Sequence, residues 1–206
     1  MPSDVSEEIS ESTKITREQK LSPMGTQAIQ GSLAEQQVIE SSEFAVDTHK
    51  IPKEDVQRHL GRNSLWTTDK GQLIEPKGSK GRGVDYERLK NANIGGTFEA
   101  IDDFDAKTGT ATSLKSLDLN APTYKDNPSP SKSLINSYID DLADFPGSAS
   151  NQRGKRVEIM PEDIKNRNLS LAVPMGALTD DNCQILLECK KYAMTRNVNL
   201  LIDEVA

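Results

Sequence analysis

RVEIMPEDIKNRNLSLAVPMGALTDDNCQILLECKKYAMTRNVNLLIDEVA, residues 156–206, is the stretch whose reading decides the fold. Arg156 to Met160 alternates as a short strand, and Pro161-Glu162-Asp163-Ile164 is a proline-led, acidic helix start. Leu169 to Val173 reads as a second strand, and Thr179 caps a helix running to about Arg196. Val198 to Ile202 reads either as a third strand or as the continuation of that helix. The order predicts a small α/β domain over residues 151–206, with an all-α domain as the alternative, at a size where little core is available. Pro146-Gly147-Ser148-Ala149-Ser150 has a linker composition and sets its boundary.

Upstream, the composition argues against a packed fold. Leu 18, Ile 14, Val 9 and Phe 4 sum to 45 of 206 residues, and aromatics are 4% of the chain. Ordering a residue costs on the order of 1–2 kcal/mol, which so thin an apolar content does not repay. Residues 1–150 therefore read as a largely disordered arm, with residues 1–31 and 61–83 mobile. Short helices punctuate it. Ser32-Leu33-Ala34-Glu35 is a capping box for a helix over 32–45, and Pro52 opens another that Gly61 stops after residue 60. The expected fold class is a mostly intrinsically disordered chain with short helices and a small folded C-terminal domain.

A third helix, over residues 133–145, has the cleanest pattern. Leu134, Ile135, Tyr138, Ile139, Leu142 and Phe145 fall on one face, while Asn136, Ser137, Asp140, Asp141 and Asp144 fall on the other. Standing between Asn127-Pro128-Ser129-Pro130 and Pro146-Gly147, it has the layout of a segment that docks in a partner's groove. The same face would equally serve to pack on the chain's own C-terminal domain. In the helix after Thr179 the apolar arc is much wider, as in a core helix, with self-association through that domain as the functional reading. Cys183 and Cys189 lie six positions apart on it, about 9 Å along the axis, which excludes an intrachain disulfide.

Chemistry is less evident. The only histidines are His49 and His59, and neither has a metal-ligand spacing with a cysteine. Asp102, Asp103 and Asp105 read as a solvated acidic loop, so no enzyme, cofactor or metal is expected. With 25 basic and 32 acidic residues the net charge is −7, and bulk attraction to nucleic acid is excluded. Lys77, Lys80, Arg82, Arg88 and Lys90 form a weak local patch for RNA phosphates, without the glycine spacing of a P-loop. Ser22 and Ser129 precede prolines and Ser42 precedes Glu43, which makes them phosphorylation candidates. No apolar run approaches a membrane span and the first residues are acidic, so the expected location is intracellular, cytoplasmic in preference to nuclear.

This layout of acidic serine-rich arm, linear helices and small terminal domain is similar to that of the phosphoproteins that tether polymerase to nucleocapsid in negative-strand RNA viruses. The resemblance implies a non-enzymatic modular adaptor, a viral protein that joins protein partners through the apolar helix face. The alternative is a nucleic-acid-binding accessory protein using the 77–90 segment.

Overall fold

The computed structural model describes residues 46–76, 81–94, 98, 100–125, 127–152 and 154–206. Its centre is a five-stranded mixed sheet in the order β1-β7-β6-β3-β2, built from β1 (Thr48–Ile51), β2 (Asp103–Asp105), β3 (Thr110–Ser116), β6 (Asn166–Pro174) and β7 (Asn199–Val205). β1, β7, β6 and β3 are parallel, and β2 closes one edge antiparallel to β3. A separate hairpin pairs β4 (Ser148–Gln152) with β5 (Lys155–Ile159).

Helices cover both faces, as a mainly parallel sheet requires. One face carries α4 (Ser129–Ala143) and α5 (Asp180–Thr195), which pack with Leu169, Leu171, Val173, Leu200 and Ile202 of the sheet. The other carries α1 (Lys53–Leu60) and α2 (Arg82–Leu89) against Leu114, Ala172 and Val205. A short α3 (Pro122–Lys125) precedes α4. Local signals explain the boundaries. The Thr179 hydroxyl accepts from the Asn182 amide to cap α5, and Gly61 ends α1 at φ +70°.

The expectation of a mostly disordered arm is overturned, because residues 46–206 form one structured α/β fold with this mixed sheet. The count of Leu, Ile, Val and Phe missed that the core also takes Tyr86, Trp66, Cys189 and the alanines 111, 172, 177 and 193. It missed too that buried charges are paired. The strand expected from Leu169 runs over the whole of β6, and residues 199–205 are strand. Pro161-Glu162-Asp163, read as a helix start, is a single 3-10 turn. Nor is the 61–76 stretch loose. Leu65 and Trp66 are buried, the Leu65 amide donates to the Ala206 carbonyl at 2.7 Å, and the Trp66 indole N–H donates to the Val205 carbonyl at 2.8 Å. The helix read over 32–45, and with it Ser22 and Ser42, lies outside the described residues, as do Lys77 and Lys80. Among the described residues no helix is long and apolar enough to cross a membrane.

The apolar face of α4 points into the chain's own core and is not offered to a partner. Ile135, Ile139, Leu142 and Phe145 are buried there, with Leu134 and Tyr138 packed half-buried beside them. Its acidic side is not idle either, since Asp140 accepts from the Tyr192 hydroxyl at 2.7 Å and from Arg196 Nε at 2.9 Å, fastening α4 to α5. The broad arc of α5 is used in the same way, with Leu186, Cys189 and Ala193 in the core. Removing the Leu142 side chain leaves a cavity under α4, so Leu142→Ala should lower the unfolding free energy by about 2–5 kcal/mol. Leu201→Ala, at a side chain 40% exposed, should lose less than about 1 kcal/mol in the same urea titration.

Candidate active site at the β2–β3 edge

β3 reads Thr110-Ala-Thr-Ser-Leu-Lys-Ser116, and the alternation of a strand divides it between two environments. Leu114 enters the core beneath α2, whereas Ser113 and Lys115 share the opposite face with Ala111. Antiparallel pairing with β2 sets Asp103 opposite Thr112, which brings Asp102, one residue before β2, beside Ser113. The Asp102 amide donates to the Thr112 carbonyl at 2.9 Å and extends that ladder by one residue.

Asp102 is buried, and its carboxylate is oriented by two donors. Oδ2 accepts from the Leu114 amide at 2.7 Å and from Lys115 Nζ at 3.4 Å. The ammonium of Lys115 also stands 6.0 Å from the centroid of the Tyr138 ring on α4, so an aromatic face and a carboxylate together hold it in place. Glu87, on α2, approaches from the other layer. Burial raises its carboxyl above the ordinary glutamate value, the charge of Asp102 raises it further, and Lys115 and Arg88 oppose the shift. Ser113 completes the group. It is 1% exposed and its Oγ has no hydrogen-bond partner in the protein. A buried hydroxyl without a partner is uncommon, and beside the Asp102 carboxylate it gives two hard oxygen atoms side by side, with the charge of Glu87 felt at the same place.

Two further contacts position these groups. The hairpin between β2 and β3 turns at Gly109, whose φ is +68° and whose added Cβ would stand 2.8 Å from the Asp163 carbonyl oxygen. The Gly109 carbonyl accepts from the amides of Lys165 and Asn166, docking the hairpin on the start of β6. On the opposite face, α2 is pinned by a buried carboxylate on β7. Tyr86 donates its hydroxyl to Asp203, Lys90 Nζ approaches the same oxygen at 2.9 Å, and Ser170 Oγ lies 3.3 Å away. Burial alone would raise the Asp203 carboxyl, but the bonds from Tyr86 and Lys90, with the charges of Lys90 and His49, outweigh it and hold Asp203 below the usual aspartate value. Burial and the neighbouring Asp203 push the Tyr86 phenol far above its usual value, so it stays a donor.

The reading of Asp102, Asp103 and Asp105 as one solvated acidic loop is corrected by this geometry. Asp105 is the exposed last residue of β2 and accepts from the Lys107 amide and the Thr108 hydroxyl, and Asp103 accepts from the Asn93 amide. Only Asp102 enters the site. The basic segment is not a free arm for RNA. Arg82 is buried over Trp66 and donates to the Ile74 carbonyl, Arg88 pairs with Asp85, and Lys90 serves Asp203. Ser129 is an exposed first residue of α4. His59 is exposed on α1, and His49 lies 3.4 Å from Asp203. Sequence reasoning passed over Glu87, Ser113 and Lys115. The one available signal was a serine two positions before a lysine in a strand, downstream of an aspartate, a pattern too common to stand out.

A family model described as the CDI toxin restriction endonuclease-like domain matches residues 82–203, more than half of the chain. The match begins with α2 and ends in β7, so it contains Glu87, Asp102, Ser113 and Lys115 together. Among solved structures, the CdiA-CT/CdiI toxin and immunity complex from Yersinia pseudotuberculosis is similar with a TM-score of 0.49 and 24% identity, covering 59% of this chain and 98% of that one. No curated protein matches in sequence. The family match overturns the non-enzymatic adaptor and the likeness to viral phosphoproteins, which rested on a disorder that residues 46–206 do not have.

Because Asp203 ties α2 to the sheet, Asp203→Asn should cost about 1–3 kcal/mol of stability at neutral pH. Its carboxyl is depressed in the folded state, so its contribution is complete above the unfolded value near 3.8 and is lost as pH falls through the folded value. Urea titrations in a pH series should show the gap between wild type and variant closing in acid.

Proposed function

The chain belongs to the family of CDI toxin restriction endonuclease-like domains, and on that premise we propose that it is a nuclease, hydrolysing phosphodiester bonds of nucleic acid at the Glu87, Asp102, Ser113 and Lys115 cluster. The observation that carries the reading is the unpartnered, buried Ser113 hydroxyl beside the Asp102 carboxylate, whose own partner is a fixed lysine. A restriction endonuclease-like domain implies a divalent cation, and the residues fit one. Asp102, Glu87 and Ser113 are hard oxygen donors, and the burial that raises Glu87, with the charge of Asp102 adding to it, is an environment in which a cation would favour the ionised carboxylate. When bound, such a cation supplies Lewis-acid polarisation of the phosphoryl oxygen and a bound water of lowered pKa.

The remaining work falls to the side chains. The Leu114 amide fixes the Asp102 carboxylate so that it does not rotate away from the site. Lys115 places a positive charge where negative charge grows on the phosphoryl oxygens, and Tyr138 shields one side of that ammonium from water. Glu87 arrives on a helix whose position Asp203 sets, which makes Asp203 a positioning residue. Attraction of the substrate is local, since the chain as a whole is acidic.

A protein partner belongs to the same reading, because a nuclease must be restrained in the cell that makes it. We propose that this partner adds a strand to the β4–β5 hairpin, a two-stranded sheet whose β5 edge pairs with no other strand among the described residues. The buried face of α4 has no part in it.

Purified protein with magnesium, manganese or zinc should cleave plasmid DNA or RNA, and a chelator should abolish cleavage. Lys115→Ala should slow it at least about 100-fold, far more than the small drop in melting temperature expected from taking one donor from the buried Asp102 carboxylate accounts for. Ser113→Ala should lose activity without losing stability. Intact DNA and RNA after incubation with all three cations would overturn the proposal.

A further inference from the structure

At the N-terminal ends of β3, β6 and β7 the surface opens into a groove of about 570 Å³ that the cluster described above does not use. Lys165, Asn166, Arg167, Asn168, Asn197 and Asn199 line it, and no carboxylate is among its lining residues. On a chain of net charge −7 this is a local reversal. Neither Lys165 nor Arg167 forms an ion pair among the described residues, and Arg167 Nε is buried without a partner.

Asparagine is disfavoured in strands, yet Asn166 and Asn168 stand in the first turns of β6 and Asn199 opens β7. Asn197, at φ +55°, closes the C-terminus of α5, where the Val198 amide donates to the Ala193 carbonyl at 2.9 Å, so its conformation serves the helix and it is the other three that lack a structural reason. The fold gains little from the side chains of Asn166, Asn168 and Asn199: Asn199 reaches Asn168, and Asn166 reaches the Thr110 hydroxyl, each at 3.4 Å. Most of their amide donors and acceptors are left for something outside the protein.

The groove is also correctly placed for the substrate. Register pairs Ala111 with Arg167 and Ser113 with Leu169, so Arg167 lies on the same face of the sheet as Ser113 and Lys115, while Thr110, Asn166, Asn168 and Asn199 lie on the other face and meet it at the strand ends. Thr110, in the groove wall, is three residues from Ser113 and five from Lys115, which is about 10 and 17 Å along a strand. That corresponds to about three to five base pairs of duplex axis. We propose that this groove is a second nucleic-acid subsite, in which Arg167 and Lys165 hold a phosphate several nucleotides from the scissile bond while the asparagine amides bond neighbouring sugar or base-edge oxygens and nitrogens. The inference rests on the nuclease reading for its purpose but not for its test.

The test compares Lys165→Ala/Arg167→Ala with wild type, using Lys115→Ala as background for binding so that cleavage does not interfere. On a duplex of about 20 base pairs, the double variant should bind about tenfold more weakly, and its log-log salt slope should fall by about one, for the one lost phosphate contact. In the cleavage-competent background, KM for that duplex should rise by a similar factor with kcat nearly unchanged, whereas a dinucleotide, with no phosphate beyond the scissile one, should be cleaved equally by both. Arg167→Lys should restore part of the affinity, which separates lost charge from lost packing. If the Lys115→Ala background does not bind the duplex, or if the double variant binds with unchanged affinity and salt slope, the subsite is overturned while any cleavage keeps the nuclease reading intact. Binding that depends on both cations in a protein that cleaves nothing would uphold the subsite and overturn the nuclease.

Discussion

The carboxylate of Asp203 is the interaction on which the arrangement turns. It stands inside the protein on β7 and gathers the Tyr86 hydroxyl and the Lys90 ammonium from α2, the Ser170 hydroxyl from β6 and the His49 ring from β1. A buried charge of this kind is tolerated only when its oxygens are satisfied, so removing any one donor is costly and the geometry is well determined. The consequence for function is indirect but strong. Glu87 is one residue from Tyr86 and three from Lys90, so anchoring those two side chains decides where Glu87 meets Asp102.

On the other face of the sheet the constraint is packing. α4 buries Ile135, Ile139 and Leu142 completely and is then locked to α5 by Asp140 and Asp144 against Arg196 and by Lys132 against Glu188. One consequence reaches the site, because the same helix brings the Tyr138 ring over Lys115. The short antiparallel β2 strand leaves that edge of the sheet thinly covered. Asp102 and Ser113 are buried next to that edge, while Glu87 and Lys115 remain part-exposed.

The glycine and asparagine positions around the lower end of the sheet follow a related logic. Gly109 is required because a side chain would strike the backbone of the 163–165 turn, and that close approach joins the hairpin carrying Asp102 and Ser113 to the start of β6. From there the strands begin with asparagines in place of β-branched residues. Such departures from local preference without a packing return are where functional pressure is most visible.

Several local elements were legible in the residues themselves: the Thr179 cap and the helix after it, the Pro52 to Gly61 helix, the one-sided face of 133–145 and the strand at Leu169. These depend on interactions within a few residues, or on a periodicity that any partner surface would satisfy. What covers the 133–145 face, and where the middle of the chain goes, depended on the parallel pairing of Thr110–Ser116 with Asn166–Pro174, more than fifty positions apart. No local pattern encodes that register. The site was illegible for the same reason. Glu87, Asp102, Ser113 and Lys115 are ordinary polar residues in the chain, and only the burial of Asp102, the crossing of α2 over β3 and the unsatisfied Ser113 hydroxyl, all products of tertiary packing, make them a group with shared chemistry.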